Sequence, residues 1–411
     1  MTDPVIRPGN GLLLIALQTA EGSPATPSAL TDVILIEGDS ADYNEPYKTE
    51  ATNEATGSFD AGPPLVIGQP ATFNFKARLR GAGPGVTYSS TVKPPLHAAL
   101  SACGWLGQFT AAIAAAALTA GTASSATLGT GYAATAQLYR GQPLILAGAP
   151  AAGRMPLVTD YSAARVAALS DLYGAALSAS NQATLPANWS YAPTSPSDAA
   201  ARIAQSPCAT IYWYEDGTLR QITDARGVAD FDGDSAKPGF GTFSFTGVYQ
   251  GKTDAAVPLN PVYAGQSAPL LVQGTGAGPV AQVARRGLPI SKWSIKSNST
   301  VTSPDDPNTP IGFGSGQLSD RMYVLEVDPL MSLVAARNSI ADIAAFTQYP
   351  ASFQLGSVAG NRVSILLPMA QPTDSTPGMR DKLRSETLHL QALSPGKDAA
   401  NRDGSIILCF S

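Results

Sequence analysis

Charge is scarce in this sequence. Asp, Glu, Lys and Arg make up only 14% of its 411 residues, and the formal net charge is -5. No run of Lys and Arg occurs, which argues against a protein that grips nucleic-acid phosphates, because that affinity needs concentrated basic side chains. Histidine is nearly absent. His97 and His389 stand alone, and a lone imidazole without a partner is expected to be structural rather than a base. The three cysteines (Cys103, Cys208, Cys409) are far apart, odd in number and without a CxxC, and read as small buried hydrophobes of a reducing compartment. HExxH, GxSxG, a P-loop and a dinucleotide GxGxxG are missing. The glycine-rich stretches at 276–279 and 312–316 lead into no helix with a suitably placed Lys, so they are loops. No catalytic residue, cofactor or metal is expected. Long apolar runs are missing too. Six apolar residues follow Gly11, with Arg7 before them and Gln18 and Glu21 close behind. They read as a strand rather than a signal-peptide core, and no segment is long enough to span a membrane. The lack of an export signal fits a product that stays in the cytoplasm until something else releases it.

Turns and short strands are abundant. With 39 Gly, 33 Pro and few charges, the chain is expected to be mainly β, and its apolar content of 44% is too high for disorder. Its length suggests two or three modules. The clearest block is 209–249. Residues 211–214 are β-branched and aromatic, Asp216-Gly217 supplies a tight two-residue turn, and 219–222 returns. In 241–247, Phe243 and Phe245 share one face while Thr242, Ser244 and Thr246 share the other. Residues 71–79 alternate the same way, with Phe73, Phe75, Ala77 and Leu79 opposite Thr72, Asn74, Lys76 and Arg78. Further strands are expected at 12–17, 33–37, 290–296, 322–327, 353–355, 363–367, 387–393 and 406–410. A short helix is expected at 94–103, and a longer one after Pro329 carrying Leu330, Val334, Ile340, Ile343 and Phe346.

Between the first strands, residues 38–68 form a long acidic linker, and loops of that length are usually functional or disordered. Asp230-Phe-Asp-Gly-Asp234 resembles the opening of a calcium loop, but the downstream bidentate Glu is missing, so an acidic turn is expected. From 107 to about 194 the composition shifts to Ala, Gly, Ser and Thr. Short strands are expected there at 134–138, 144–146, 157–161 and 165–169, with a helix over 162–177 as the competing reading of the last. An inserted β-rich domain at 107–194 therefore divides a host made of 1–106 and 195–411.

Three blocks together resemble the tail tube (major tail) proteins of long-tailed bacteriophages. The first runs from Leu13-Leu-Ile-Ala-Leu-Gln-Thr-Ala-Glu-Gly-Ser-Pro through Leu65-Val-Ile-Gly-Gln-Pro-Ala-Thr-Phe-Asn-Phe to Leu100-Ser-Ala-Cys-Gly-Trp105. The second is 209–249. The third is Phe353-Gln-Leu-Gly-Ser-Val-Ala-Gly-Asn-Arg-Val-Ser-Ile-Leu-Leu-Pro with the two C-terminal strands. The resemblance implies a tail-tube-type β-sandwich or barrel with flanking short helices. It also implies subunits in hexameric rings that stack into a tube, assembled in the host cytoplasm and residing in the virion tail. DNA would pass through the lumen without specific binding, and tape-measure, tail-terminator and tail-tip proteins would be the other partners. By the same resemblance, 38–68 is the loop that reaches a neighbouring ring, with Glu45, Tyr47 and Glu50 as contacts and Arg285 or Arg286 as basic counterparts. The insert would sit on the outside. The basic residues Lys76, Arg78 and Arg80 set a condition: a lumen-facing wall would need carboxylates to neutralise them, and otherwise that face belongs at a subunit boundary or outside. The alternative is an extracellular carbohydrate- or surface-binding β-sandwich in which Trp189 and Tyr191 stack on sugars. A glycoside hydrolase has no distinguishable carboxylate pair in its favour.

Overall fold

The structure, a computed structural model, describes residues 5–7, 9–44, 46–52, 54–55, 57–60, 62–263, 265–274, 278–309 and 311–411. The elements that position the surfaces discussed below are, in chain order, β1 (Gly11–Leu17), β2 (Tyr47–Glu50), β3 (Leu65–Gly68), β4 (Ala71–Arg78), α1 (His97–Ala102), β5 (Trp105–Thr110), β6 (Asn188–Pro193), α2 (Ala199–Gln205), β7 (Ala209–Glu215), β8 (Thr218–Asp234) and β9 (Gly239–Asp254). They continue with β10 (Lys292–Lys296), β11 (Val324–Val327), α3 (Ser339–Ala344), β12 (Tyr349–Val358), β13 (Asn361–Arg380), β14 (Leu383–Ala392) and β15 (Ile407–Phe410).

The fold is mainly β and antiparallel. The β7–β8 hairpin turns at Asp216-Gly217, with φ of 41° and 100° and Glu215 opposite Thr218, as the Asp-Gly pair requires. Along β8 the sheet divides. Its first half pairs with β7, which pairs with β1. Its last residues pair with β10, and β9 runs along its other side and carries β4. From β10 the pairing continues through β11, β14 and β13 to β12, and from β13 through β15 and β6 to β5. The two leaves face each other across one core. Trp293 of β10 stacks on Phe353 of β12 with centroids 4.5 Å apart, and Trp105 of β5 meets Phe231 of β8 edge-on at 5.5 Å. Phe75 lies between Phe243 and Phe245, at 5.1 and 6.0 Å, so the phenyl alternation of β4 and β9 does build one wall of that core. Helix α1 buries Ala99, Leu100 and Ala102 among β1, β5, β7 and β8.

A second core, from Leu118 to Leu185, lies between a four-stranded and a three-stranded sheet, all of whose strands fall between Ile113 and Leu185. The boundaries expected at 107 and 194 therefore shift inward. β5 and β6 pair with each other, Trp189 opposite Phe109, and β6 also pairs with β15, so both belong to the main sheet. The module is clamped rather than tethered. Buried Asp171 accepts hydrogen bonds from Gln282 (2.8 Å) and Arg154 (2.7 Å), and Arg140 donates to the Gly396 carbonyl (2.8 Å).

Four further expectations are corrected. Residues 134–138 turn instead of extending, because Gln137 at φ 62° uses its side-chain oxygen to accept from Arg140 and from the Tyr161 amide. Pairing at 33–37 is confined to Val33–Ile34. The acidic stretch Asp230 to Asp234 is not a turn, because pairing with β9 and β10 holds it extended. The helix after Pro329 shrinks to six residues, capped where the Asn338 side chain accepts from the Ala341 amide.

Candidate assembly surface

Residues 38–68 are not a structureless linker. β2 and β3 pair from Tyr47 opposite Gly68 to Glu50 opposite Leu65, forming a two-stranded arm separate from the main sheet. Strand alternation puts Tyr47, Thr49 and Val66 on one face and Lys48, Glu50, Leu65 and Ile67 on the other. Val66 is 68% exposed and Leu65 58%. Apolar area of this kind on a bare ribbon calls for a partner, since a two-stranded hairpin alone is marginal in water. Of the expected contact residues, Tyr47 and Glu50 are both on this arm but on opposite faces, and Glu45 lies outside the described residues. The arm is fixed at its root. The Gln69 amide donates to the Pro46 carbonyl at 2.8 Å, and the Tyr47 ring meets Tyr249 edge-on. A Cβ on Gly68 would fall 2.2 Å from the Ile311 carbonyl oxygen. Gly68→Ala is therefore expected to push the root off the body at a cost of about 1–3 kcal/mol, read by thermal unfolding. An unchanged melting temperature would mean the contact yields freely.

A groove of about 740 Å³ opens elsewhere, between the turn after Val283 and the segment leading into α3. Val283, Leu288, Leu330, Met331, Val334 and Tyr349 give it an apolar lining. Beside it Ile340 and Phe346 are 74% and 72% exposed. The turn is unusual: Ala284 and Arg285 both have positive φ, 52° and 62°, where Gly or Asn is the ordinary occupant. Each such residue costs roughly 1–2 kcal/mol. The Arg285 Nε donates to the Leu169 carbonyl at 2.9 Å, and the Arg286 guanidinium donates to the Ala336 carbonyl. Burial alone shifts Arg285, downward from the usual arginine value.

The third surface is the outer face of the sheet. Its side chains run in rows across six strands. One row passes from Arg78 through Phe240, Asp232, Ser294 and Glu326 to His389, and the next from Lys76 through Thr242, Asp230, Lys296 and Val324 to Gln391. Bases and acids compensate along these rows. Arg78 pairs with Glu37, Lys296 with Asp230 at 3.2 Å and Lys292 with Glu326 at 3.4 Å. Burial raises the Asp232 carboxyl above its usual range, against the pull of Lys76 and Lys296. Arg80 leaves this face and donates to the Ser267 carbonyl. Of the three bases in that condition, Arg78 has a carboxylate partner, while Lys76 lies over the Phe240 ring.

The sugar-stacking residues of the alternative reading are inside the protein. Trp189 is 7% exposed, with its Nε1 donating to the Ser89 and Val92 carbonyls, and Tyr191 is fully buried. His97 shares a hydrogen bond with the Tyr191 hydroxyl at 2.9 Å. Burial, seconded by Lys93, lowers the imidazole to about 4. In the unfolded chain it titrates near 6.5, so between those values the unfolded state binds the extra proton. Stability contributed by neutral His97 is thus full above about pH 6.5 and falls by roughly 2–3 kcal/mol as the pH drops to 4. Urea unfolding across this window is expected to show that slope, and His97→Gln to flatten it; an equal slope in the variant would assign the acid sensitivity elsewhere. All three cysteines are buried thiols. Among the described residues no three His, Cys, Asp or Glu side chains are placed to hold a metal ion, and no helix is long and apolar enough to cross a membrane.

The groove was missed by sequence reasoning, though a signal existed. Val334 and Ile340 are six residues apart, a spacing that breaks the helical stripe assumed for that segment. No protein-family model matches the chain, and no curated protein matches it.

Proposed function

We propose that this chain is a structural virion protein, a tail tube subunit of a long-tailed bacteriophage. It assembles into hexameric rings that stack into a tube delivering DNA to the host, and it works by association, not catalysis. The observation that carries the reading is the β2–β3 arm, a ribbon fixed at its root whose Leu65, Val66 and Ile67 are exposed. Exposed apolar area on a two-stranded ribbon marks an interaction surface. An open stack of rings uses it as a head-to-tail contact that propagates without closing. The compensated outer face gives independent support. A wall on which Arg78, Lys292 and Lys296 are paired with carboxylates presents little unopposed positive charge, so phosphates slide past it. Tape-measure, tail-terminator and tail-tip proteins are the partners this role implies, and the second module is assigned to the outside of the tube. Negative-stain electron microscopy of the purified chain over a concentration series, with light scattering, tests the proposal. Rings or hollow tubes of uniform width are expected. Particles that stay monomeric throughout, also with tail-tip complex added as nucleus, would overturn it.

A further inference from the structure

We infer that the cavity at the point where β8 passes from β7 to β10 is a slot for an extended, uncharged peptide segment of a partner protein, bound as an added strand on β8. This goes beyond the tube reading and does not depend on it. Three observations converge. The first is an unpaired stretch of edge. β7 pairs with β8 as far as Ala225 and β10 only from Phe231, so residues 226–230 have β9 on one side and, among the described residues, no strand on the other. Both ends of this gap are built. A bulge with Asp224 at φ 49° ends the pairing with β7. At the other end the register of β10 would bring Ser297 opposite Ala229. The Ser297 amide and hydroxyl instead donate to the Asp230 carboxylate at 2.8 and 2.9 Å, and Asn298, at φ 43°, leads the chain away. Strand backbone left open in this way is a template for strand addition.

The second observation is room beside that edge. A cavity of about 780 Å³ is lined by Val228 and Ala229, one from each face of β8, so it opens along the edge of the strand. An added strand over 226–230 is about 17 Å long. The third is its chemistry. Every arginine in the lining is already paired, Arg321 with Asp403 and both Arg202 and Arg226 with Glu21, so the cavity does not select an anion. Asp320 is exposed and accepts from the Thr300 and Ser319 hydroxyls. Tyr323 is 4% exposed and lines the cavity, and its hydroxyl has no hydrogen-bond partner among the described residues. Trp105 lies on the core side with Phe231, and Ser297 on the side of Asp230. Because side chains of an added strand alternate, the segment that fits carries small apolar residues toward Trp105 and Ser or Thr toward Ser297.

The test titrates the full-length chain by calorimetry with acetylated, amidated hexapeptides that alternate Ser or Thr with Ala, Val or Ile. Saturable one-to-one binding of at least one member is expected. Two N-methylated forms of that peptide then read the backbone, since successive amides of a strand point to opposite edges. Methylating one alternate set is expected to weaken binding at least roughly tenfold, and the other set less than about threefold. Tyr323→Phe is expected to weaken it about three- to tenfold, with circular dichroism and urea unfolding unchanged. No binding by any peptide overturns the inference, as does equal tolerance of both methylations or an affinity indifferent to Tyr323→Phe. Maltohexaose binding in the peptides' place would assign the hydroxyls to a sugar and overturn it as well.

Discussion

Leu65→Asp combined with Ile67→Asp is expected to cut the assembled fraction at least tenfold while leaving the unfolding free energy unchanged within about 0.5 kcal/mol. The separation of the two effects follows from where the residues sit. Both are on one face of the arm, exposed in the isolated subunit, so their replacement removes no intramolecular packing. In an assembled state the same face would be covered, and two desolvated carboxylates there would lack partners. Sedimentation of assembled material alongside urea unfolding reads both quantities. Equal assembly by the variant would remove the arm from the contact, and lost stability would show that it packs against its own subunit.

Arg402→Ala is expected to cost about 3–5 kcal/mol. Its guanidinium is 1% exposed, paired with Asp398 at 2.7 Å, and also donates to the Ser190 carbonyl at 2.7 Å and the Leu106 carbonyl at 3.2 Å. Truncation leaves a buried carboxylate without its counter-charge and two carbonyls without donors, on the strands β5 and β6 that frame the second module. The double variant Arg402→Met with Asp398→Asn is expected to recover part of the loss, because the unpaired charge goes with it. Denaturant unfolding decides, and a single variant within 1 kcal/mol of the native chain would show that water reaches the site.

Local chemistry explains which parts of the fold were legible. The β7–β8 hairpin was readable because Asp216-Gly217 has one good conformation and its flanks are β-branched and aromatic. β4 and β9 were readable because their phenyl rings repeat at a period of two. The arm was hidden. β2 reads Tyr-Lys-Thr-Glu, with no apolar alternation, and fourteen residues separate it from its partner, so only their mutual pairing makes either a strand. Asp230 to Asp234 was misread for the opposite reason: its Asp and Gly favour turns, but two flanking strands outweigh that preference. The ends of the second module were misplaced because the pairing of β5 with β6 spans the whole module and leaves no mark in either segment. Of the expected contact residues, Tyr47 and Glu50 fall on the arm, whereas the groove depends on side chains from segments that only the tertiary fold brings together.

The position of β15 has a consequence for the timetable of folding. It lies between β6 and β13, with Trp189 and Val363 both opposite Phe410, so the main core closes only after residue 410 has emerged. The strands and core of the second module come from its own stretch of chain. It is expected to be native early, while β6 and β13 wait with open edges exposed to aggregation. Pulse-labelled hydrogen exchange during refolding should find amides of 113–185 protected before those of β6 and β13. Simultaneous protection would mean that the two cores fold as one.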